Sequence, residues 1–303
     1  MKNKKLKILI ILGLIVLTTT GCTKILTDSN KKQVKNDVTG QVLTQNILCK
    51  PEDKNSIKKY IKNKVDINKL PECTKMKIND GKYEGLWTDL LVKPSAFILI
   101  KIGMIVKNYG LSLIIVGILI RLLTLPLTIK ATKNAEIMKK LQPEMLKIRT
   151  KYEGKTDQES IMKLNQEMMM LYQKYNFNPL SGIFGSFINL PIFFAFLEAV
   201  QRTPAIFEDK FLGFQLGTTP SVGLTTPFWF LYVLLVILIG FTTYISFKSA
   251  GLNTSDESTK NMPKIFTGMI MLTGLFMPSA LALYWITSNL FVIIQSRILK
   301  KGE

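Results

Sequence analysis

The sequence predicts an all-α integral membrane protein with five transmembrane helices, N-out and C-in, a cytoplasmic antiparallel helical hairpin and an interfacial amphipathic helix. Three observations lead there. Residues 175–197, 211–247 and 265–296 carry no charged side chain, and a helix of roughly 20 apolar residues crosses a bilayer. The 303 residues hold 40 Lys and Arg against 21 Asp and Glu, a net charge of +19 in a chain that is 47% hydrophobic, so the charge must lie outside the apolar runs. In a soluble domain that excess would point to nucleic acid. Confined to the stretches between spans, it reads as topology and contact with anionic lipid, and no nucleic-acid binding is expected. Finally, there is no histidine, which removes Ser-His-Asp and Cys-His nucleophiles and His-ligated zinc. No enzyme, cofactor or metal site is expected.

Residues 1–21 read as a secretory signal peptide, with four lysines by Lys7, an apolar run from Ile8 to Leu17, and then Thr18-Thr19-Thr20 leading to Gly21 and Cys22. The run is too short to span. The approach to Gly21-Cys22 resembles a bacterial lipobox, although Thr19 stands where Leu is usual. Cleavage between Gly21 and Cys22 and acylation of Cys22 would anchor the mature chain to the outer leaflet; the alternative is a buried Cys after an uncleaved anchor. Residues 22–93 read as a small, partly ordered exported segment rich in lysine. There Cys49 and Cys73 either pair, which would stabilise by about 3 kcal/mol, or stay free thiols.

Residues 94–108 are apolar but too short to span, which fits an interfacial helix. Residues 109–129 form the first span, with Arg121 its single charge. The basic stretch 130–178 then belongs in the cytoplasm. Spans follow at 179–200, containing Pro191, and 227–247, separated by an outer loop, 201–226, whose Arg202 and Lys210 are balanced by Glu208 and Asp209. After the inner loop 248–262, residues 263–278 and 279–299 make two short spans broken at Pro278. Parity decides for two, because one crossing would leave Arg297, Lys300 and Lys301 outside.

Within 130–178, Ile137, Leu141, Met145, Ile148 and Tyr152, and then Ile161, Leu164, Met168, Leu171 and Tyr175, recur at helical spacing. Thr156 with Glu159 fits a capping box opening the second arm. These stripes either pack only on each other or also present a docking surface for a client or ribosome.

Arg121 lies about 13 Å of helix from Lys130, too deep for easy snorkelling, and an Arg facing lipid costs at least ~2.5 kcal/mol. It therefore faces either a structural carboxylate or a wet interior. Thr124, Asn189, Asn289 and Gln295, with Thr287 and Ser288, are enough to hydrate one shared cavity, though each singly is more often a helix-packing group.

Read together, Ile120-Arg121-Leu122 leading to Leu125-Pro126-Leu127, Leu141-Gln142-Pro143, Asn178-Pro179-Leu180 and Leu283-Tyr284-Trp285-Ile286 with Ser288-Asn289 resemble the YidC family of membrane protein insertases. The resemblance covers about 94–301, and the lipoprotein start is similar to that of its Gram-positive branch. It implies a hydrophilic groove centred on Arg121, lined by Thr124, Asn189, Trp285, Asn289 and Gln295, and open to the cytoplasm and inner leaflet. It also implies nascent membrane proteins as clients, contact with membrane lipids, and work alone or beside the Sec translocon and ribosome. Two departures stand out: Ile183-Phe184-Gly185 replaces the family's Cys-Leu-Pro, and Asn189 replaces its Gln. The tail after Ile298 is short, so ribosome contact would fall to the hairpin. Another reading of the same cavity is a small anion transporter or lipid scramblase.

Overall fold

A computed structural model describes residues 23–177, 189–249 and 261–301. Gly21, Cys22 and Ile183-Phe184-Gly185 lie outside the described residues. The described chain is predominantly helical. It forms two compact units, one from 1–119, 190–239 and 272–287, the other from 120–189, 240–271 and 288–303.

In the first unit residues 23–93 pack into two buried apolar clusters, where the sequence predicts only partial order. Its apolar residues follow no single period. Turns set them instead: Asp28 Oδ1 accepts from the Asn30 and Lys32 amides, Asn36 Oδ1 accepts from Val38 and Thr39, and bridges join Ile25 to Thr44 and Lys35 to Val42. Leu26, Val34, Leu43 and Ile47 thereby meet Tyr60 of helix α1 (Lys54–Lys62) and Phe207, five residues beyond Arg202. A second cluster surrounds the bonded pair Cys49–Cys73, whose Cα atoms are 4.8 Å apart, and includes Trp87 and Val92. It also holds Ala96 and Ile100 of helix α2 (Lys93–Val106). Opening this link in the full chain with Cys49→Ser and Cys73→Ser should cost about 3 kcal/mol, read as faster trypsin cleavage within 23–93.

α2 starts one residue before the expected 94 and ends at Val106, because Lys107 takes a left-handed conformation at φ 53°. It buries Ala96, Leu99 and Gly103 and exposes Ile98, Met104 and Ile105. Helix α3 (Tyr109–Lys151) opens where Asn108 Oδ1 accepts from Leu111 N and Asp209 Oδ2 from Tyr109 N. The division expected at 129/130 is not a helix end. α3 continues for 43 residues through Pro126 and Pro143, about 65 Å, so one helix supplies both the first apolar stretch and the first arm of the hairpin. Around Pro126, Thr124 Oγ1 donates to Ile120 O and Thr128 Oγ1 to Leu125 O, hydroxyls that help satisfy backbone near a helix proline.

The second arm, α4 (Gln158–Lys174), is capped by Asp157, which accepts from Ser160 N at 2.8 Å, and not by the expected Thr156. Leu141, Met145, Leu171 and Phe177 form the seam with Ile137, Ile148, Met168 and Tyr172 packed on it; Ile161 stays 48% exposed. Lys151 and Tyr152 meet Glu167 at one end, and Glu144 meets Tyr175 and Lys174 at the other. Partner numbers rise on one arm as they fall on the other, so the arms are antiparallel.

Helix α5 (Asn189–Arg202) has Pro191 in its first turn. The connection that follows, 203–228, holds a two-stranded ladder, β1 (Lys210–Phe211) and β2 (Phe214–Gln215). Then come α6 (Trp229–Ser249), α7 (Met262–Phe276) and α8 (Ser279–Lys301), the last two divided at Pro278. α3, α6 and residues 279–299 of α8 are long and apolar enough to cross a membrane, and α7 is a shorter apolar helix. In the second unit, Gly240 lies against Met271 and Phe247 faces Phe266 at 6.3 Å, so α6 and α7 run antiparallel.

Candidate functional site

Two buried polar clusters stand out, one in each unit. In the second unit, Arg121, Thr124, Thr128 and Thr132 recur at spacings of 3, 4 and 4, which puts them on one face of α3. Ser288 and Gln295, seven apart, share a face of α8. Arg121 Nε donates to Ser288 Oγ at 2.5 Å, and one heptad on, Thr128 Oγ1 comes within 3.4 Å of Gln295 Oε1. The contacts advance together along both helices, so α3 and α8 run side by side in the same direction here. On the next face of α8, Asn289 Nδ2 donates to Thr243 Oγ1 at 2.8 Å and to Thr242 Oγ1 at 3.4 Å on α6. Ser288, Asn289 and Gln295 are buried, while Arg121 and Thr128 are half-buried. Sequence stretches 90–135, 211–247 and 265–296 contain no Asp or Glu, and Arg121 is the one charge in 108–129. Among the described residues no cluster could hold a metal.

The expected site residues separate. Arg121, Asn289 and Gln295 lie in this cluster. Thr124 Oγ1 is engaged by its own helix, at Ile120 O and Arg121 O. Trp285 belongs to the first unit, edge-on to Phe193 at 5.3 Å beside the Phe196–Tyr284 stack. Asn189 starts α5, and its side chain is outside the described residues. Ser288, Thr128, Thr242 and Thr243 complete the cluster. The signal for the last pair was present in the sequence: two adjacent threonines with Ser246 make a polar stripe in an otherwise apolar span.

The second cluster is in the first unit. Arg202, fully buried, donates through Nε to Asn46 O at 2.6 Å, through Nη1 to Glu198 Oε1 at 3.0 Å, and through Nη2 to both oxygens of Glu84 at 2.9 and 2.7 Å. Trp87 Nε1 donates to Glu198 Oε2 at 2.8 Å. The charges of 201–226 balance in number, but Arg202 pairs outside that stretch, with Glu84 and with Glu198 of α5. Glu208 Oε2 instead accepts from the Glu52 and Asp53 amides at the start of α1, where a helix N-terminus favours negative charge. Burial nonetheless pushes the Glu208 carboxyl above its ordinary range. A carboxyl raised in the folded state binds protons more readily there than when unfolded, so this group's contribution to stability rises as pH falls through its folded value and levels off below the unfolded one, about 4.3. Melting curves should show wild type gaining on Glu208→Gln over that interval.

A family model described as 60Kd inner membrane protein matches residues 101–303. The chain belongs to the YidC family. Among YidC relatives, membrane protein insertase YidC 2 of Bacillus anthracis is 37% identical over 225 residues, 73% of this chain and 84% of that one. Membrane protein insertase MisCA of Bacillus subtilis is 39% identical over 217 residues, 71% and 79% of the two chains. A crystal structure of an active YidC insertase with its first transmembrane domain resolved is similar with a TM-score of 0.53, at 21% identity, over 82% of this chain and 50% of that longer one. That likeness concerns the fold alone. The Arg121 cluster falls inside the YidC match and residues 23–93 fall outside it.

Proposed function

We propose that the chain is a membrane protein insertase that helps newly made proteins enter and fold in the bacterial cytoplasmic membrane, alone or with the Sec translocon. The observation that carries this reading is the Arg121–Ser288 pair within apolar helices, in a chain whose relatives are named insertases. A fixed positive charge with hydroxyl and amide neighbours lowers the cost of bringing a client's polar or acidic flank part-way into the bilayer. No covalent chemistry is needed. Apolar parts of the client stay in lipid, so only the flank requires the groove.

The topology in this reading is five spans, N-out and C-in, with Cys22 lipidated on the outer face. The common direction of α3 and α8 supports it, since spans that share a direction are separated by an odd number of others, and the break at Pro278 supplies the extra crossing. α3 is about 65 Å long against a hydrocarbon core of ~30 Å, so its second half projects with α4 as a cytoplasmic hairpin, the element available to a ribosome or client.

Vesicles reconstituted with the purified chain separate this reading from an anion transporter or lipid scramblase using the same cavity. Protease-protected client without solute or lipid flux is the expected result; flux without client and no protected product would favour transport.

A further inference from the structure

The first unit contains a cavity of about 320 Å³ that the proposed groove does not use. Its apolar wall comes from three places: Ile25 and Val42 of the exported segment, Val200 and Phe207 at and beyond the outer end of α5, and Phe276 at the end of α7. The remaining wall is neutral: Gly217 and Pro278, the amides of Gln33, Gln41 and Gln201, and the hydroxyls of Thr44 and Thr219. No charged side chain is among the described residues that line it. This chemistry disfavours a phosphate or an ion, which would be desolvated without a counter-charge. It suits a neutral ligand that is aliphatic along its length and carries ester or amide groups at one end. Gln41 is 3% exposed and its Oε1 has no hydrogen-bond partner among the described residues.

The first described residue, Thr23, is itself part of the lining. The residue before it in the chain is Cys22. We propose that this cavity seats part of one acyl chain of the lipid carried by Cys22, so that the anchor grips the protein's own outer surface as well as the bilayer. The space corresponds to about ten water volumes, enough for a portion of a single chain while the others remain in the membrane. The acyl chain would then pack against the exported segment, the end of α5 and the end of α7 together. The inference rests on the reading of Cys22 as lipidated.

The test uses the full chain in membranes of cells fed a palmitate analogue bearing a diazirine. After irradiation, digestion and mass spectrometry, wild type should carry the label on peptides containing Val42, Val200 or Phe276. Val42→Trp, which fills the cavity and leaves Cys22 intact, should reduce that label tenfold or more while label on the exposed apolar face of α6 persists. Lipid on Cys22 with label on α6 but none on the cavity peptides would overturn the proposal, as the chains would lie wholly in the bilayer. Cavity label surviving in Cys22→Ala would overturn it differently, making the occupant a bilayer phospholipid. An N-terminal peptide without lipid would refute the lipidation reading and the docking with it, an outcome distinct from failed docking.

Discussion

Arg202→Ala is expected to destabilise the first unit by about 3–5 kcal/mol, the cost of removing one partner from a buried ion pair. The guanidinium satisfies four acceptors, two from Glu84, one from Glu198 and the Asn46 carbonyl. Without it, Glu198, 4% exposed, keeps the hydrogen bond from Trp87 Nε1 but carries a charge that must be neutralised or hydrated. Arg202→Met, which restores most of the volume, should recover little, because the loss is electrostatic. Glu84→Gln should cost less, since its side chain is 37% exposed and water can replace part of the bond. Trypsin susceptibility of residues 23–93 in detergent reports the order Ala, Met, then Gln. An unchanged cleavage rate in Arg202→Ala would mean that the Glu84–Arg202–Glu198 cluster does not hold residues 23–93 on α5.

That cluster also shows where sequence reading ran out. Arg202, Glu198 and Glu84 are up to 118 positions apart, with nothing periodic to link them, so counting charges reads 201–226 as balanced and names no partner for Arg202. Residues 23–93 read as only partly ordered for the same reason: Leu26, Val34 and Leu43 meet only because turns at Asp28 and Asn36 fold them together. By contrast, the hairpin seam was legible from spacing alone, since Leu141, Met145 and Leu171 follow the helical repeat that their packing requires. Arg121 was legible as the lone charge of an apolar run. Its company was less so: Thr124 and Trp285 have the right composition for a groove, but backbone carbonyls and aromatic rings engage them. A short hydroxyl in a helix commonly bonds the carbonyl one turn back, and composition does not register that competition.

Arg121→Ala should reduce insertion of a single-span client tenfold or more in a strain depleted of its own insertase, a loss equivalent to about 1.4 kcal/mol. Arg121→Lys should retain most activity, because a compact ammonium at the same depth keeps the charge while giving up the planar fork. Ser288→Ala removes the acceptor of Arg121 Nε at 2.5 Å but leaves the charge, and its effect should be smaller than that of Arg121→Ala. If Ala and Lys at 121 behaved alike, at either full or negligible activity, a fixed charge would not be the working element. Stable accumulation of each variant in the membrane has to be shown alongside, since Arg121 also joins α3 to α8.

The central claim is that a client's polar flank passes beside the Arg121 cluster. Photoreactive residues placed at Thr124 and at Gln295, with a stalled nascent single-span client, measure this directly. The predicted result is crosslinking from both positions to the hydrophilic flank just outside the client's apolar segment, weakened in Arg121→Ala. Crosslinks to lipid alone from both positions, while the client is still inserted, would contradict the account.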